Sequence, residues 1–270
     1  MLLPAHIRAR GEIRASFARS GPRTVIERVR EAGGLRLRFP RVPGGCEAVI
    51  INTGGGIAGG DAHCLSFAAG PGAQATITTQ AAEKIYRAQD DSPATIDVAL
   101  ALASGSSLEW LPQETILFDR ARLTRRLEAD IAVDAALTLV ESVTFGRLAM
   151  GEASISGHFR DRWRIRRAGT LAFAEDLRAE GAQGALLDRA ALGKGARACA
   201  TLLHMAADAE KHLDPVRAAL AGQDCESGAS AFDGKLMVRA LSPSPERLRA
   251  AIMAAMQALR GRNAPRVWQM

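Results

Sequence analysis

NTGGGIAGGD, residues 52–61, follows the apolar run AVII at 48–51, and the structure it forms decides the class of the whole chain. Gly54, Gly56 and Gly59 satisfy the G-x-G-x-x-G pattern of a dinucleotide-binding turn. That turn needs a helix opening at the third glycine, to aim amides at a pyrophosphate, and an acid about 20 residues on to hold the ribose. After Asp61 only the eight residues AHCLSFAA precede the next turn at 70–72, too few for a crossover helix and strand-like in type. The residue 20 beyond Gly59 is Thr79, and no Gly-Lys-Ser/Thr follows to make a phosphate loop. The stretch therefore predicts a glycine-dense β-turn or bulge that uses positive φ and close backbone approach. A nucleotide-dependent oxidoreductase stays as the alternative.

Outward from this turn the text is β-like. Residues 24–29, 34–39, 46–51, 75–79, 95–100 and 107–111 read as short strands, several with period-two alternation. Leu35, Leu37 and Phe39 share one face while Arg36 and Arg38 share the other. Turns are predicted at 43–45, 70–72, 90–93 and 104–106. Helices are predicted over 215–221, behind Asp214-Pro215, and over 246–260, behind Ser244-Pro245, with Gly222 and Gly261 as stops. Residues 228–241 read as a hairpin. The expected class is mainly β (α+β), with helices near the C-terminus, in one domain spanning 1–270.

Composition narrows the function classes. Net charge is +6, and of 35 basic residues only four are Lys. Arg suits bidentate pairing with carboxylate or phosphate, but it is spread evenly, and with one Tyr there is no basic block interleaved with aromatics. Nucleic-acid binding is not expected. Cys46, Cys64, Cys199 and Cys225 form no C-x-x-C pair, the first residues lack a leader pattern, and no run of apolar residues suits a membrane span. The expected setting is the cytoplasm, with reduced thiols.

No complete catalytic set emerges. Asp61, His63 and Cys64 offer transition-metal ligands, but on a strand Cys64 would face away from the other two. Ser154, Ser156 and His158 lack a nucleophile elbow, and the acids Glu109/Glu114 and Asp90/Asp91 suit salt bridges as well as catalysis. His204 and His212 read as packing or surface residues.

Five blocks taken together are more specific: residues 52–61, TTQAAEKIYR at 78–87, LEWLPQETILFDR at 108–120, ESVTFGRLAMGE at 141–152 and PRVW at 265–268. In order and spacing they resemble the UreD (UreH) family of urease accessory proteins, from about residue 10 onward. Glu83 departs from that pattern, which more usually has a small or hydroxyl residue there. The resemblance implies helically stacked β-sheets, no enzymatic activity and no tightly bound cofactor. It implies a scaffold that binds the urease apoprotein and UreF, recruits the GTPase UreG through UreF, and allows a homodimer of the complex. Nickel would be cargo in transit.

A weakly binding path for nickel suits isolated carboxylates better than a closed thiolate cage. Asp61, Glu141 and Asp176 are the expected members, against the alternative that each pairs with an Arg. Tyr86, Arg87, Trp110, Glu114, Asp119, Arg120 and Trp268 are the expected partner-binding residues, against a core role for the aromatics. Exposed apolar surface is expected on a protein that works in assemblies.

Overall fold

The computed structural model describes residues 8–42, 45–152 and 155–269. The chain opens with β1 (Arg10–Ser20), β2 (Arg23–Ala32), β3 (Leu35–Arg38) and β4 (Glu47–Asn52). Next come β5 (Ala62–Ala69), β6 (Gln74–Thr79), β7 (Glu83–Ile85), β8 (Ala94–Leu102), β9 (Ser107–Leu111) and β10 (Thr115–Leu117). Four long strands follow: β11 (Ala121–Ile131), β12 (Ala136–Phe145), β13 (Gly157–Arg167) and β14 (Thr170–Gly181). The remainder is α1 (Gln183–Asp188), β15 (Ala198–Met205), α2 (Leu213–Ala221), β16 (Glu226–Phe232), β17 (Lys235–Ser242) and α3 (Pro245–Arg260).

These strands build two sheets. One has seven strands in the order β14-β13-β11-β8-β5-β1-β2; the other has ten, running β16-β17-β15-β12-β9-β6-β4-β3 with β10 and β7 attached through β12. From β4 to β13 the chain crosses repeatedly between the sheets. Each crossing lays a new strand parallel to the previous one of its own sheet: β5 on β1, β8 on β5, β11 on β8 and β13 on β11, facing β6 on β4, β9 on β6 and β12 on β9. The chain thus winds as stacked coils, the helically stacked sheets that the resemblance implied. Antiparallel hairpins close the seven-stranded sheet at both edges.

Alternation explains which residues go inside. On β11 Leu123, Arg125, Leu127 and Ala129 face inward, and on β13 Phe159, Asp161, Trp163 and Ile165 do so, leaving the intervening Arg residues to solvent. A first core fills the space between the sheets, around Phe17, Phe67, Leu108, Leu127 and Phe159. A second lies on the far face of the ten-stranded sheet, where Leu111, Val140, Leu202 and Val238 meet Val216, Leu248, Ile252, Met256 and Trp268. Because β12 is sandwiched by both cores, nine of its ten residues are buried.

The strand predictions at 24–29, 34–39, 46–51, 75–79, 95–100 and 107–111 all fall on strands, and 228–241 is the β16–β17 hairpin. The last helix is capped as expected: Ser244 Oγ accepts from the Arg247 amide at 3.2 Å, and Gly261 ends it at φ 61°. Two details differ. The helix predicted at 215 begins at Leu213 without a side-chain cap, so Pro215 lies inside its first turn, and Gly222 follows with φ −86° instead of a left-handed stop. Sequence reading also missed α1, whose six residues bury only Gln183 and Gly184 and so carry no apolar stripe. Of the predicted turn at 43–45, residues 43 and 44 lie outside the described residues, as does Ser154.

Candidate functional site

The glycine-rich stretch is a turn, and β5 begins directly after it at Ala62. With a strand where the cofactor helix would start, the dinucleotide reading falls. The glycines serve close approach instead. A Cβ on Gly56, at φ +151°, would lie 2.5 Å from the Tyr86 ring and 2.7 Å from the Lys84 carbonyl oxygen. Backbone contacts close around that gap, since the Ile57 amide donates to Lys84 O at 2.9 Å and the Tyr86 amide to Ile57 O at 2.8 Å. The Tyr86 hydroxyl then donates to Gly55 O at 2.8 Å.

Asp61 closes the same loop. Its carboxylate accepts from the Ala9 amide at 2.7 Å and the Ala58 amide at 2.8 Å, so both oxygens are engaged by backbone. His63 is buried and Cys64 exposed on opposite faces of β5, as alternation predicts. All four cysteines are free thiols.

Around Tyr86 a surface cluster forms from three of the sequence blocks. Phe118 meets the Tyr86 ring edge-to-face at 5.1 Å between centroids, and the Arg147 guanidinium stacks over Phe118 at 4.3 Å. Glu152 fixes Arg147 through both carboxylate oxygens, at 3.0 and 3.1 Å. Arg120 sits at φ 61°, an uncommon conformation for a residue other than glycine, and its side chain stands exposed. Asp119 anchors that turn by accepting from the Ser156 amide at 3.0 Å and hydroxyl at 3.1 Å. Burial opposes its ionisation, but those bonds and Arg120 win and hold its carboxyl below the ordinary value. Arg87 is exposed beside Arg120 on a groove of about 600 Å³ that Arg122 and Glu180 also line. Tyr86, Arg87, Asp119 and Arg120 are thereby brought together on the segments that lead from β7 to β8 and from β10 to β11.

Two of the expected partner-binding residues are core. Trp110 is 3% exposed, packs on Phe67 at 5.8 Å and donates from Nε1 to Glu141 at 2.8 Å. Trp268 is 2% exposed, donates from Nε1 to Leu111 O at 3.0 Å and lies under Arg249 at 4.8 Å. Both rings are large apolar bodies whose N–H finds an internal acceptor, which is the core role weighed against an interface. Glu114 is half-buried and paired with Arg249 at 3.1 Å; Arg249 also donates to Gln113 and to Trp268 O. The blocks 108–120 and 265–268 thus meet as one latch across the second core.

Glu141 occupies a different setting. It projects from β12 into the first core, where it shares Arg125 of β11 with Asp161 of β13. Arg125 contacts a Glu141 carboxylate oxygen through Nη1, Asp161 at 2.6 Å through Nη2 and Thr115 Oγ at 3.1 Å. Trp163 adds an Nε1 donor to Asp161 at 3.2 Å. The three ionic groups are 3–5% exposed. Two carboxylates facing one guanidinium leave an excess of acid, and burial lifts Glu141 to about 7 against the pull of Arg125. Sequence reading found Glu141 but not its partners. The available signal was a charged residue on an inward register: Arg125 between Leu123 and Leu127, and Asp161 between Phe159 and Trp163.

Asp176 lies elsewhere, on the outer hairpin. Arg178 and Arg160 each grip it with two hydrogen bonds of 2.7 to 3.0 Å, and these hold its carboxyl far below the usual range. Asp61, Glu141 and Asp176 therefore share no partner. Glu83, the residue that departs from the family pattern, accepts from Asn52 at 2.9 Å, and burial raises it to about 7. A further buried carboxylate, Glu109, accepts from Arg260 at 2.7 and 2.9 Å, Arg262 at 2.9 Å and the Thr76 hydroxyl at 2.5 Å. Ser156 and His158, candidates for a nucleophile pair, turn to Asp119 and to Glu180 with Thr124 respectively. Val25, Ile26 and Val29 stand exposed on the edge strand β2, the kind of apolar surface expected.

Comparison with known proteins adds an independent finding. The sequence model of the UreD urease accessory protein family matches residues 9–269. A urease accessory protein UreD of Xanthobacter autotrophicus is 48% identical over 261 residues, covering 97% of this chain and 90% of the relative. One of Beijerinckia indica is 50% identical over 251 residues, with 92% and 93% covered. One of Azorhizobium caulinodans is 44% identical over 268 residues, with 99% and 98% covered.

Proposed function

This chain belongs to the UreD family of urease accessory proteins, a non-catalytic family, and from that premise we propose that it is a scaffold for urease maturation. It binds the urease apoprotein and UreF in the cytoplasm, and UreF brings UreG and its nickel. The family match over residues 9–269 carries this reading. No helix in the described residues is long and apolar enough to cross a membrane.

Tyr86, Arg87, Asp119 and Arg120 are the surface we assign to a protein partner. What supports it is an exposed, pre-ordered set of Tyr and Arg, the types that dominate binding hot spots, held rigid by Phe118, Arg147 and Asp119. For nickel in transit, the two buried carboxylates that share Arg125 favour Glu141 as an interior station, although it would have to loosen its hold on Arg125 and Trp110. Asp61 and Asp176 remain proposed members of the path, although each would have to release its amides or guanidiniums to bind an ion.

The test is urease activation in cells carrying the urease subunits and the other accessory proteins, with this chain supplied or withheld. Activation should need it, and tagged chain should retain urease subunits and UreF; Arg120→Glu should release a partner without unfolding. Equal activation without the chain would overturn the reading.

A further inference from the structure

We infer that His204, Asp208 and His212 form a binding site for a divalent first-row transition-metal ion, on the side of the molecule that carries α2. The inference is independent of the urease role and concerns different residues from the interior acids.

The three side chains come from successive pieces of backbone. His204 projects from the end of β15, Asp208 lies in the turn that follows, and His212 closes a 3-10 turn (Ala209–His212) where α2 begins. One ligand atom from each falls within 4.8 Å of the other two, and His212 Nε2 lies 3.9 Å from Asp208 Oδ2. Metal–ligand bonds near 2.1 Å separate neighbouring ligands by about 3 to 4 Å, so a small rotamer adjustment brings this set onto an ion. The two imidazole rings meet at 86° with centroids 5.7 Å apart, without stacking face to face.

A neighbouring hydroxyl already orients one of the imidazoles. Buried Thr138 holds Nδ1 of His204 at 2.9 Å, which fixes the ring and assigns ligation to Nε2. Two imidazoles and one carboxylate are a borderline donor set that suits nickel or zinc better than magnesium or calcium, and three protein ligands leave positions for water.

Isothermal titration of the purified full chain with Ni²⁺ alone and with Zn²⁺ alone tests this, free of any histidine tag. His212→Ala and Asp208→Ala are the informative variants, because both side chains are partly exposed, at 30% and 54%, and neither supports a core. Each should weaken binding about tenfold or more and abolish thermal stabilisation by the ion, with the metal-free fold unchanged. His158→Ala, on the opposite sheet, should bind as the parent does. Failure of the parent to take up either ion, or parent-like affinity in both variants, would overturn the site.

Discussion

Replacing Arg125 by Met removes the guanidinium that two buried carboxylates share, and the structure sets the size of the damage. Glu141 and Asp161 are 4% and 5% exposed, and Arg125 touches both. At an effective dielectric of about 20 and a charge separation of about 4 Å, each pair is worth ~4 kcal/mol, so ~8 kcal/mol of attraction disappears. Removing the Arg also removes its own desolvation cost of several kcal/mol, which leaves a net loss of ~3–5 kcal/mol. Domains of ordinary stability hold only ~5–15 kcal/mol in total. Urea unfolding followed by Trp fluorescence reads this directly, since Trp110 and Trp163 donate to the two carboxylates concerned. The pH dependence gives a second signature. In the parent, burial holds the Glu141 carboxyl at about 7 when folded, above its ordinary value of 4.5. Its contribution is therefore fully present below the unfolded value and is lost as pH rises through about 7. Without Arg125 the carboxyls resist ionisation more strongly, so the variant's deficit should shrink between about pH 8 and pH 6. Replacing all three ionic groups by apolar residues of similar volume should recover most of the loss. A deficit under ~1 kcal/mol for Arg125→Met, or one that widens on acidification, would refute the assignment of this cluster as a coupled buried network.

Two further outcomes follow from local geometry. Ser244→Ala should cost ~1 kcal/mol in denaturant unfolding, because it removes the only side-chain acceptor described at the N-terminus of α3. Gly157→Ala should cost at least ~3 kcal/mol, or prevent accumulation of soluble protein, since its Cβ would lie 2.2 Å from Ala121 O at φ +147°.

How much of this was legible in the sequence depended on how local each signal was. Leu35, Leu37 and the run 107–111 announced strands because alternation needs only neighbouring residues, and Ser244-Pro245 announced α3 because a cap is a local device. The AHCLSFAA segment disproved a cofactor loop by its length alone. The strand β13 was harder, since five Arg residues in 157–167 mask the buried face that alternates beneath them, and β14 shows no residue of its own fully buried. Trp110 and Trp268 look alike in sequence whether they serve an interface or a core, and only their acceptors, Glu141 and Leu111 O, decide. The Arg125 cluster joins positions 16 and 36 residues apart on three strands, so no window of sequence contains it.

The latch between 108–120 and 265–268 also has a temporal consequence. Leu111 and Gln113 are synthesised more than 150 residues before Val267 and Trp268, which complete their hydrogen bonds. While a ribosome works through that interval, the coils can stack and the first core can close, but the outer face of the ten-stranded sheet stays bare. A nascent chain therefore displays Leu111 and Val140 to its surroundings until α3 and the Trp268 turn emerge, and a ribosome-associated chaperone has that long to cover them.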